Sequence, residues 1–313
     1  MTTATTDPTR LTTPAELRLW SQRCRAAGMD VGLVPTMGAL HDGHLSLVRR
    51  ARRECDRVVV SIFANVLQFD PREDIDSYPR AVERDIALLA QEGVHAVFVP
   101  TAGAMYPAEF ATTVHVDEAL TGILEGVHRP GHFDGVAVVV AKLLIAAGPR
   151  RAYFGQKDSQ QSLVVRRLAR DLDTGVDIVV CPVVRDLDGL ALSSRNVFLS
   201  ADERRRAVAI PTALGEAVRA HAAGERRAAA LRSLVVDRLE RAGFDIDYVA
   251  VVDPETLVSV DAAGPGCQVL VAGRIGATRL IDVIRLGIDE SPMEANGAQD
   301  PEVADIMGVQ GRD

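Results

Sequence analysis

The stretch that decides the fold is Val34-Pro35-Thr36-Met37-Gly38-Ala39-Leu40-His41-Asp42-Gly43-His44. An apolar run before it predicts a short buried strand that Pro35 closes, and apolar residues at helical spacing after it predict a helix from about Gly43 to about Asp56. Glycines let a ligand approach the backbone, and the free N–H groups of a first helical turn attract anions. The imidazoles of His41 and His44 can donate to phosphate oxygens. The stretch therefore predicts a site for a nucleoside triphosphate.

The same stretch carries a family resemblance. His-x-Gly-His at a junction between a strand and a helix resembles the signature of the nucleotidylyl-transferase superfamily. The longer string from Pro35 to His44 resembles the opening motif of the pantothenate synthetase family, ligases that join pantoate to β-alanine using ATP. The resemblance covers roughly residues 12–287 in order, and its further blocks are Ser61–Phe69, Glu73-Asp74 through Tyr78-Pro79-Arg80, Gly126–Phe133, Phe154–Gln161 and Leu192–Asn196.

This resemblance implies a reaction in two steps. The pantoate carboxylate attacks the α-phosphate of ATP to give pantoyl adenylate and pyrophosphate, and the amine of β-alanine then displaces AMP. The resemblance also implies Mg²⁺, which accompanies the triphosphate, and a homodimer. No further partner is implied beyond the small molecules ATP, pantoate and β-alanine.

Matching positions take their roles from the resemblance. His41 and His44 are implied to contact the phosphates, with His44 as the proton donor, and Lys157 and Arg195 are implied to be catalytic as well. The residues implied to bind ATP are Met37, Gly38, Ala39, Leu40, His41, Asp42, Gly43, His44, Gly155, Gln156, Lys157, Asp158, Val184, Leu192, Ser193, Ser194 and Arg195. Gln68, Gln161 and Asn65 are implied to bind pantoate or β-alanine, and Asp85 is a candidate ligand of Mg²⁺.

Four positions depart from the family pattern. Val66, Gln156, Ser159 and Leu192 stand where Pro, Glu, an aromatic residue and Met are usual. These departures leave three alternatives open: the same ligase chemistry on a different hydroxy acid or amine, a nucleotidylyltransferase that stops at an adenylated product, and a nucleotide-binding regulator without catalysis.

Composition narrows the function independently of any family. The net charge of −8 argues against a general nucleic-acid binder, and no run approaches the ~18 apolar residues that span a membrane. The N-terminus lacks the basic and apolar regions of a secretory signal, and the four scattered cysteines show no metal-ligand spacing, so we expect a cytoplasmic protein.

Only two of 35 basic residues are lysines. Lys157 therefore suggests a compact ammonium at a phosphate, whereas Lys142 falls in a predicted helix without an assigned contact.

Alternating apolar runs and helical patterns predict an α/β fold, a Rossmann-like doubly wound parallel sheet with a smaller α+β C-terminal domain. The predicted strands are Val31–Pro35, Val58–Phe63, Ala96–Val99, Ala152–Phe154 and Ile178–Pro182, and the predicted helices are Leu45–Asp56, Val82–Glu92, Val136–Ala147 and Leu163–Leu172. Gly-x-Gly-x-x-Gly is absent at the first strand, which argues against an NAD enzyme.

We predict an ATP- and pantoate-binding domain at 1–184, a lid domain at 185–287 and a disordered tail at 288–313. In the second domain, a capping box at Ser200 and Glu203 opens a long helix that Pro211 kinks.

Overall fold

The computed structural model describes residues 7–69 and 81–293, so the sequence block from Glu73 to Arg80 lies outside the described residues. The chain divides into two compact units, Met1–Val183 and Val184–Asp313. None of the described helices is both long and apolar enough to cross a bilayer.

The first unit is built on six parallel strands with helices between them. The strands are β1 Thr9–Leu11, β2 Val31–Thr36, β3 Arg57–Ile62, β4 Ala96–Phe98, β5 Arg151–Gly155 and β6 Asp177–Cys181, in the spatial order β1-β4-β3-β2-β5-β6. The helices are α1 Pro14–Ala26, α2 Asp42–Glu54, α3 Val82–Gln91, α4 Ala102–Met105, α5 Glu118–Thr121, α6 Glu125–His128, α7 His132–Ala147 and α8 Ser159–Asp171. This confirms the predicted Rossmann-like parallel sheet.

Alternate residues of each central strand belong to different cores, because successive side chains of a strand point to opposite faces. Leu33 of β2 packs with α1, α7 and α8, whereas the next residue, Val34, packs with α2 and α3. Val59 and Val60 of β3 divide in the same way. Burial on both faces explains why these strands are continuous apolar runs in the sequence.

The second unit has its own core and an antiparallel sheet. Its elements are α9 Ala201–Ala207, α10 Ala209–Ala222, α11 Ala228–Arg241, β7 Asp245–Val252, β8 Gln268–Ile275 and β9 Thr278–Arg285, with the strands in the order β7-β8-β9. The capping box is present, since Ser200 Oγ accepts from Glu203 N and Glu203 Oε2 accepts from Ser200 N. The smaller α+β domain is thus confirmed as an architecture.

Three details differ from the sequence predictions. The long helix breaks at Val208 rather than at Pro211, because proline disturbs the carbonyl four residues before it, that of Ala207. The elements β1, α1, α4, α5 and α6 were not predicted, although Thr13 and Glu16 form a capping box around Pro14 that could have indicated α1. Packing continues past residue 287, where the tail was predicted to start, since Ser291 is only 1% exposed.

Candidate active site

The decisive stretch forms a tight loop between β2 and α2. Gly38 has a φ of +88°, and a Cβ on it would lie 3.1 Å from Ile62 and 3.2 Å from the Asp85 carboxylate, so only glycine fits. Ala39 follows with a φ of +51°, a left-handed conformation that costs energy for a residue with a side chain. The loop therefore holds backbone strain and needs an external brace.

Asp85 of α3 supplies that brace. Its side chain is fully buried, and its Oδ2 and Oδ1 accept hydrogen bonds from the N–H groups of Ala39 and Leu40 at 2.8 and 3.0 Å. Both carboxylate oxygens are thereby occupied by the loop. Asp85 is thus a support for the loop, and its role as a Mg²⁺ ligand stays a prediction. The described residues contain no cluster of three His, Cys, Asp or Glu that could hold a metal ion.

The two histidines sit at the start of α2. His41 is the residue before the helix, and its N–H group points at Nδ1 of His44 at 3.4 Å, with the ring centroids 4.1 Å apart. Because His44 accepts at Nδ1, its ring proton lies on Nε2, which makes the neutral ring a hydrogen-bond donor. Nδ1 of His41 is buried without a partner among the described residues. A buried, unsatisfied nitrogen beside a helix N-terminus indicates a place for a polar ligand.

Burial keeps both imidazoles uncharged at neutral pH. Burial, followed by the positive charge of Lys157, lowers the pKa of His41 to about 4. Burial, His41 and Lys157 lower the pKa of His44 to about 3. Because Lys157 influences the pKa of both rings, the lysine lies close to the histidine loop. Their shared role at the phosphates of ATP stays a prediction.

Lys157 lies where β5 ends. A single 3-10 turn, Gln156–Asp158, joins β5 to α8, and Lys157 Nζ lies 3.8 Å from the Asp158 carboxylate with the lysine side chain 19% exposed. Gly155 has ordinary extended backbone, and a Cβ on it would meet nothing within 4 Å. Since no packing demands glycine there, open space in front of Gly155 is consistent with close approach of a nucleotide.

Gln68 is held rigidly beside the loop. Its Oε1 accepts from Asn65 Nδ2 at 3.0 Å, and its Nε2 lies 3.1 Å from Met37 Sδ. Asn65 is fixed in turn by Tyr106, whose hydroxyl donates to Asn65 Oδ1 at 2.6 Å. The chain Tyr106–Asn65–Gln68–Met37 links the predicted pantoate residues to the predicted ATP loop.

The backbone at Gln68 is fixed from the other side by α7. Nδ1 of His132 lies 2.8 Å from the Gln68 carbonyl oxygen, and Asn65 Nδ2 also donates to the Gly135 carbonyl at 3.0 Å. A Cβ on Gly135 would lie 2.2 Å from the Leu67 carbonyl oxygen, so the helix rests directly on the chain. No role was predicted from the sequence for Tyr106, His132 or Gly135, although His132 lies in a block that resembles the family.

Adjacent glutamines of α8 have different roles. Gln160 is buried, with Oε1 accepting from Glu125 N and Nε2 donating to the carbonyls of Leu120 and Ile123, so it anchors the segment around α5 and α6. The side chain of Gln161 is half-buried and makes no hydrogen bond to another described residue. Its amide is therefore available for a ligand, and its role in binding pantoate or β-alanine stays a prediction.

The remaining predicted residues belong to the second unit and share one braced segment. Leu192 N donates to the Val184 carbonyl at 2.9 Å, and Ser193 Oγ accepts from Arg195 N at 3.2 Å at the start of the 3-10 turn Ser194–Phe198. Arg185 supports this hairpin through a buried ion pair with Asp282 of β9, at 2.6 and 3.0 Å. This pairing anchors the segment that carries Ser193, Ser194 and Arg195 to the sheet of its own unit.

Lys142, which the sequence left without a contact, lies among aromatic rings. Its Nζ lies 5.9 Å from the centre of the Tyr106 ring and 5.1 Å from that of Phe110, within the range of cation–π attraction. Both lysines of the chain thus occupy specific environments, but only Lys157 influences the histidines.

Comparisons with known proteins agree with this geometry. The profile of the family described as Pantoate-beta-alanine ligase matches residues 9–285. A curated pantothenate synthetase from Acidobacterium capsulatum is 55% identical over 259 residues, which are 82% of this chain and 86% of the relative. Another from Pelotomaculum thermopropionicum is 47% identical over 276 residues, with 88% of this chain and 98% of the relative covered.

Solved structures give the same result. The crystal structure of a pantothenate synthetase from Thermus thermophilus has a TM-score of 0.83 and 47% identity, covering 88% of this chain and 99% of that one. A pantoate-beta-alanine ligase from Francisella tularensis, solved with Beta-gamma ATP and Beta-alanine, has a TM-score of 0.74 and 30% identity, covering 89% and 97% of the two chains.

Proposed function

This chain belongs to the pantoate–β-alanine ligase family, and we propose that it condenses (R)-pantoate with β-alanine through a pantoyl adenylate, releasing pyrophosphate and AMP. The observation that carries the mechanism is the pair of half-buried, uncharged histidines beside Lys157, next to the fixed amide of Gln68. The roles given below to individual residues are each part of the proposal.

In the first step a carboxylate oxygen of pantoate forms a bond to the α-phosphorus, and the bond from that phosphorus to pyrophosphate breaks. Such a transfer depends on positioning and on neutralising charge. Nε2–H of His44 and the N–H groups at the start of α2 donate to the phosphate oxygens, and the Lys157 ammonium balances their charge. His44 is already neutral, so it acts first as a hydrogen-bond donor rather than as a stored acid.

Pantoate is held by amides because it offers hydroxyl groups and a carboxylate. Gln68 and Gln161 can both donate and accept, which suits a hydroxy acid. Asn65 sets the orientation of Gln68 and leaves the glutamine Nε2 close to the Met37 end of the ATP loop. In the second step the β-alanine amine, as the free base, bonds to the acyl carbon and gives up a proton, and the bond from that carbon to the AMP oxygen breaks.

We extend the proposal to the segment of the second unit. The hydroxyls of Ser193 and Ser194 and the guanidinium of Arg195 suit the dispersed charge of terminal phosphates. Leu192 and the Val184 backbone are assigned to the nucleotide by the resemblance, as are Gln156 and Asp158 of the first unit. Replacement of Arg195 by Gln should raise KM for ATP and lower kcat, as steady-state kinetics would measure.

Mg²⁺, the homodimer and the cytoplasm are further parts of this proposal. Mg²⁺ would supply additional charge neutralisation, held mainly by phosphate oxygens and water, as is usual for this ion on nucleotides. The two loop hydrogen bonds accepted by Asp85 favour a Mg²⁺ ion held by phosphate and water over one held by this carboxylate. The four cysteines are all free and buried, which fits a reducing compartment.

One experiment tests the adenylate directly. ATP and pantoate without β-alanine should release pyrophosphate in an amount equal to the enzyme, and added β-alanine should then yield AMP and pantothenate together. Release of ADP and phosphate would instead establish an acyl phosphate. Other hydroxy acids in place of pantoate test the alternative substrate, and pyrophosphate release without later amide formation would establish a nucleotidylyltransferase.

A further inference from the structure

A second cluster of cationic and hydrogen-bond-donating side chains lies at the amino ends of the parallel strands, opposite the histidine loop. Arg52 is in the last turn of α2, Arg57 is the first residue of β3, and His95 directly precedes β4. Arg52 Nη1 lies 3.2 Å from Nε2 of His95, and Arg57 Nη1 lies 3.4 Å from the same atom. These residues are at the amino ends of the strands, whereas the histidine loop follows the carboxyl end of β2.

The hydrogen bonds of His95 fix where its proton must be. The backbone N–H of Val58 donates to the ring atom Nδ1 of His95 at 3.0 Å. The backbone N–H of His95 donates in return to the Val58 carbonyl at 3.1 Å. A neutral imidazole accepts at one nitrogen only, so Nδ1 is the acceptor and Nε2 carries the proton. Burial and the two guanidinium groups lower the pKa of His95 to about 4, so the ring is neutral at physiological pH.

The cluster therefore contains donors that face one another. Two guanidinium N–H groups point at Nε2, which is itself an N–H group. Arg57 Nη1 has one acceptor, the Asp56 carbonyl at 2.9 Å, but neither guanidinium has a carboxylate within 4 Å among the described residues. Arg49 and Arg50 of the same helix do form ion pairs, with Glu92 and Glu54. A ligand that accepts hydrogen bonds from all three residues would satisfy these donors.

We propose that Arg52, Arg57 and His95 form a binding site for a phosphate-type anion, separate from the nucleotide site. Guanidinium groups favour tetrahedral oxyanions because they offer several N–H donors in one plane. The C-terminal end of α2 carries the negative end of the helix dipole, which repels an anion. The positive charges of both arginines are therefore needed to overcome this repulsion. The proposal does not depend on the proposed function, since none of the three residues is part of the adenylation site.

The test uses the full chain with ¹⁵N- and ¹³C-labelled histidine and inorganic phosphate as the probe, at constant ionic strength set with sodium chloride. The His95 resonance, identified by its loss in His95→Gln, should shift and saturate. Arg52→Gln and Arg57→Gln should each weaken binding at least about tenfold, the scale of a lost charge-assisted hydrogen bond. Arg53→Gln removes an equal charge from an exposed side chain of the same turn and should leave the affinity within about twofold.

The nucleotide site also binds phosphates, so the titration is repeated with Lys157→Ala. The His95 response should persist there unchanged. The proposal is overturned if the shift does not saturate, if it disappears with Lys157→Ala, or if Arg53→Gln weakens binding as much as Arg52→Gln. A parallel titration with a phosphate monoester, glycerol phosphate, distinguishes the free ion from an esterified phosphate by which of the two binds more tightly.

Discussion

At the residue scale, the most informative side chain is Asp85, because its position and its chemistry suggest different roles. A carboxylate beside a triphosphate site is an obvious candidate for a metal ligand. Its complete burial and its two hydrogen bonds from Ala39 and Leu40 point to a second role, in which the carboxylate stabilises strained backbone. We propose that Asp85 affects ATP binding through the loop that it positions.

Asp85→Asn tests this role. The amide NH₂ of asparagine would face one of the two loop N–H groups, leaving it unpaired at a cost of about 1–3 kcal/mol. We expect kcat/KM for ATP to fall by about tenfold to a hundredfold. Excess Mg²⁺ should not restore it. Rescue by high Mg²⁺ would show that Asp85 binds the metal after all.

Lys157→Arg tests whether a compact charge is required. Arginine keeps the charge but presents a broad planar fork, so it should fit poorly where burial leaves the lysine side chain 19% exposed. Pyrophosphate release should slow by at least about tenfold. Lys142→Arg is the matched control, since an arginine can retain the attraction to Tyr106 and Phe110 and should leave the rate nearly unchanged. Equal rates in both variants would remove Lys157 from the proposed mechanism.

At the scale of elements, the sequence predicted what local patterns determine. Buried strands are apolar runs, so β2 to β6 were placed within about a residue at most ends. The strand β1 has three residues of which only Leu11 is buried, too short a pattern to recognise. The contacts that complete the site join distant parts of the chain, Ala39 with Asp85 and Asn65 with Tyr106. No periodicity carries that information, so the histidines could be predicted but their supports could not.

The contact of α7 with the chain at Gln68 gives a prediction for an element. Gly135→Ala should push α7 away from Leu67, because its new methyl group would overlap the carbonyl carbon at 2.4 Å as well as the oxygen. Stability should fall by about 1–3 kcal/mol, and KM for pantoate should rise. Gly103→Ala in α4 is the control, since a Cβ there meets nothing within 4 Å. A Gly135→Ala variant with normal stability and KM would show that α7 does not set the position of Gln68.

At the scale of the whole molecule, the site makes folding depend on pH. His41 and His44 have folded-state pKa values of about 4 and about 3, below the ordinary value of 6.5 that they regain on unfolding. Between these values the unfolded chain binds protons that the folded chain does not. The free energy of unfolding therefore falls as the pH drops below about 6.5, by up to about 1.4 kcal/mol per pH unit for each histidine. The uncharged donors that suit phosphate binding thus reduce stability in acid.

Denaturant unfolding at pH 7, 6 and 5 measures this dependence in a range above the ordinary titration of carboxyl groups. Wild type should lose stability steadily across it. The double variant His41→Gln/His44→Gln should show a clearly smaller slope, and the part that remains should come from His95, whose pKa is also lowered to about 4. If both proteins gave the same slope, the two site histidines would not be held neutral by the fold, and His44 would have to enter the reaction as an imidazolium.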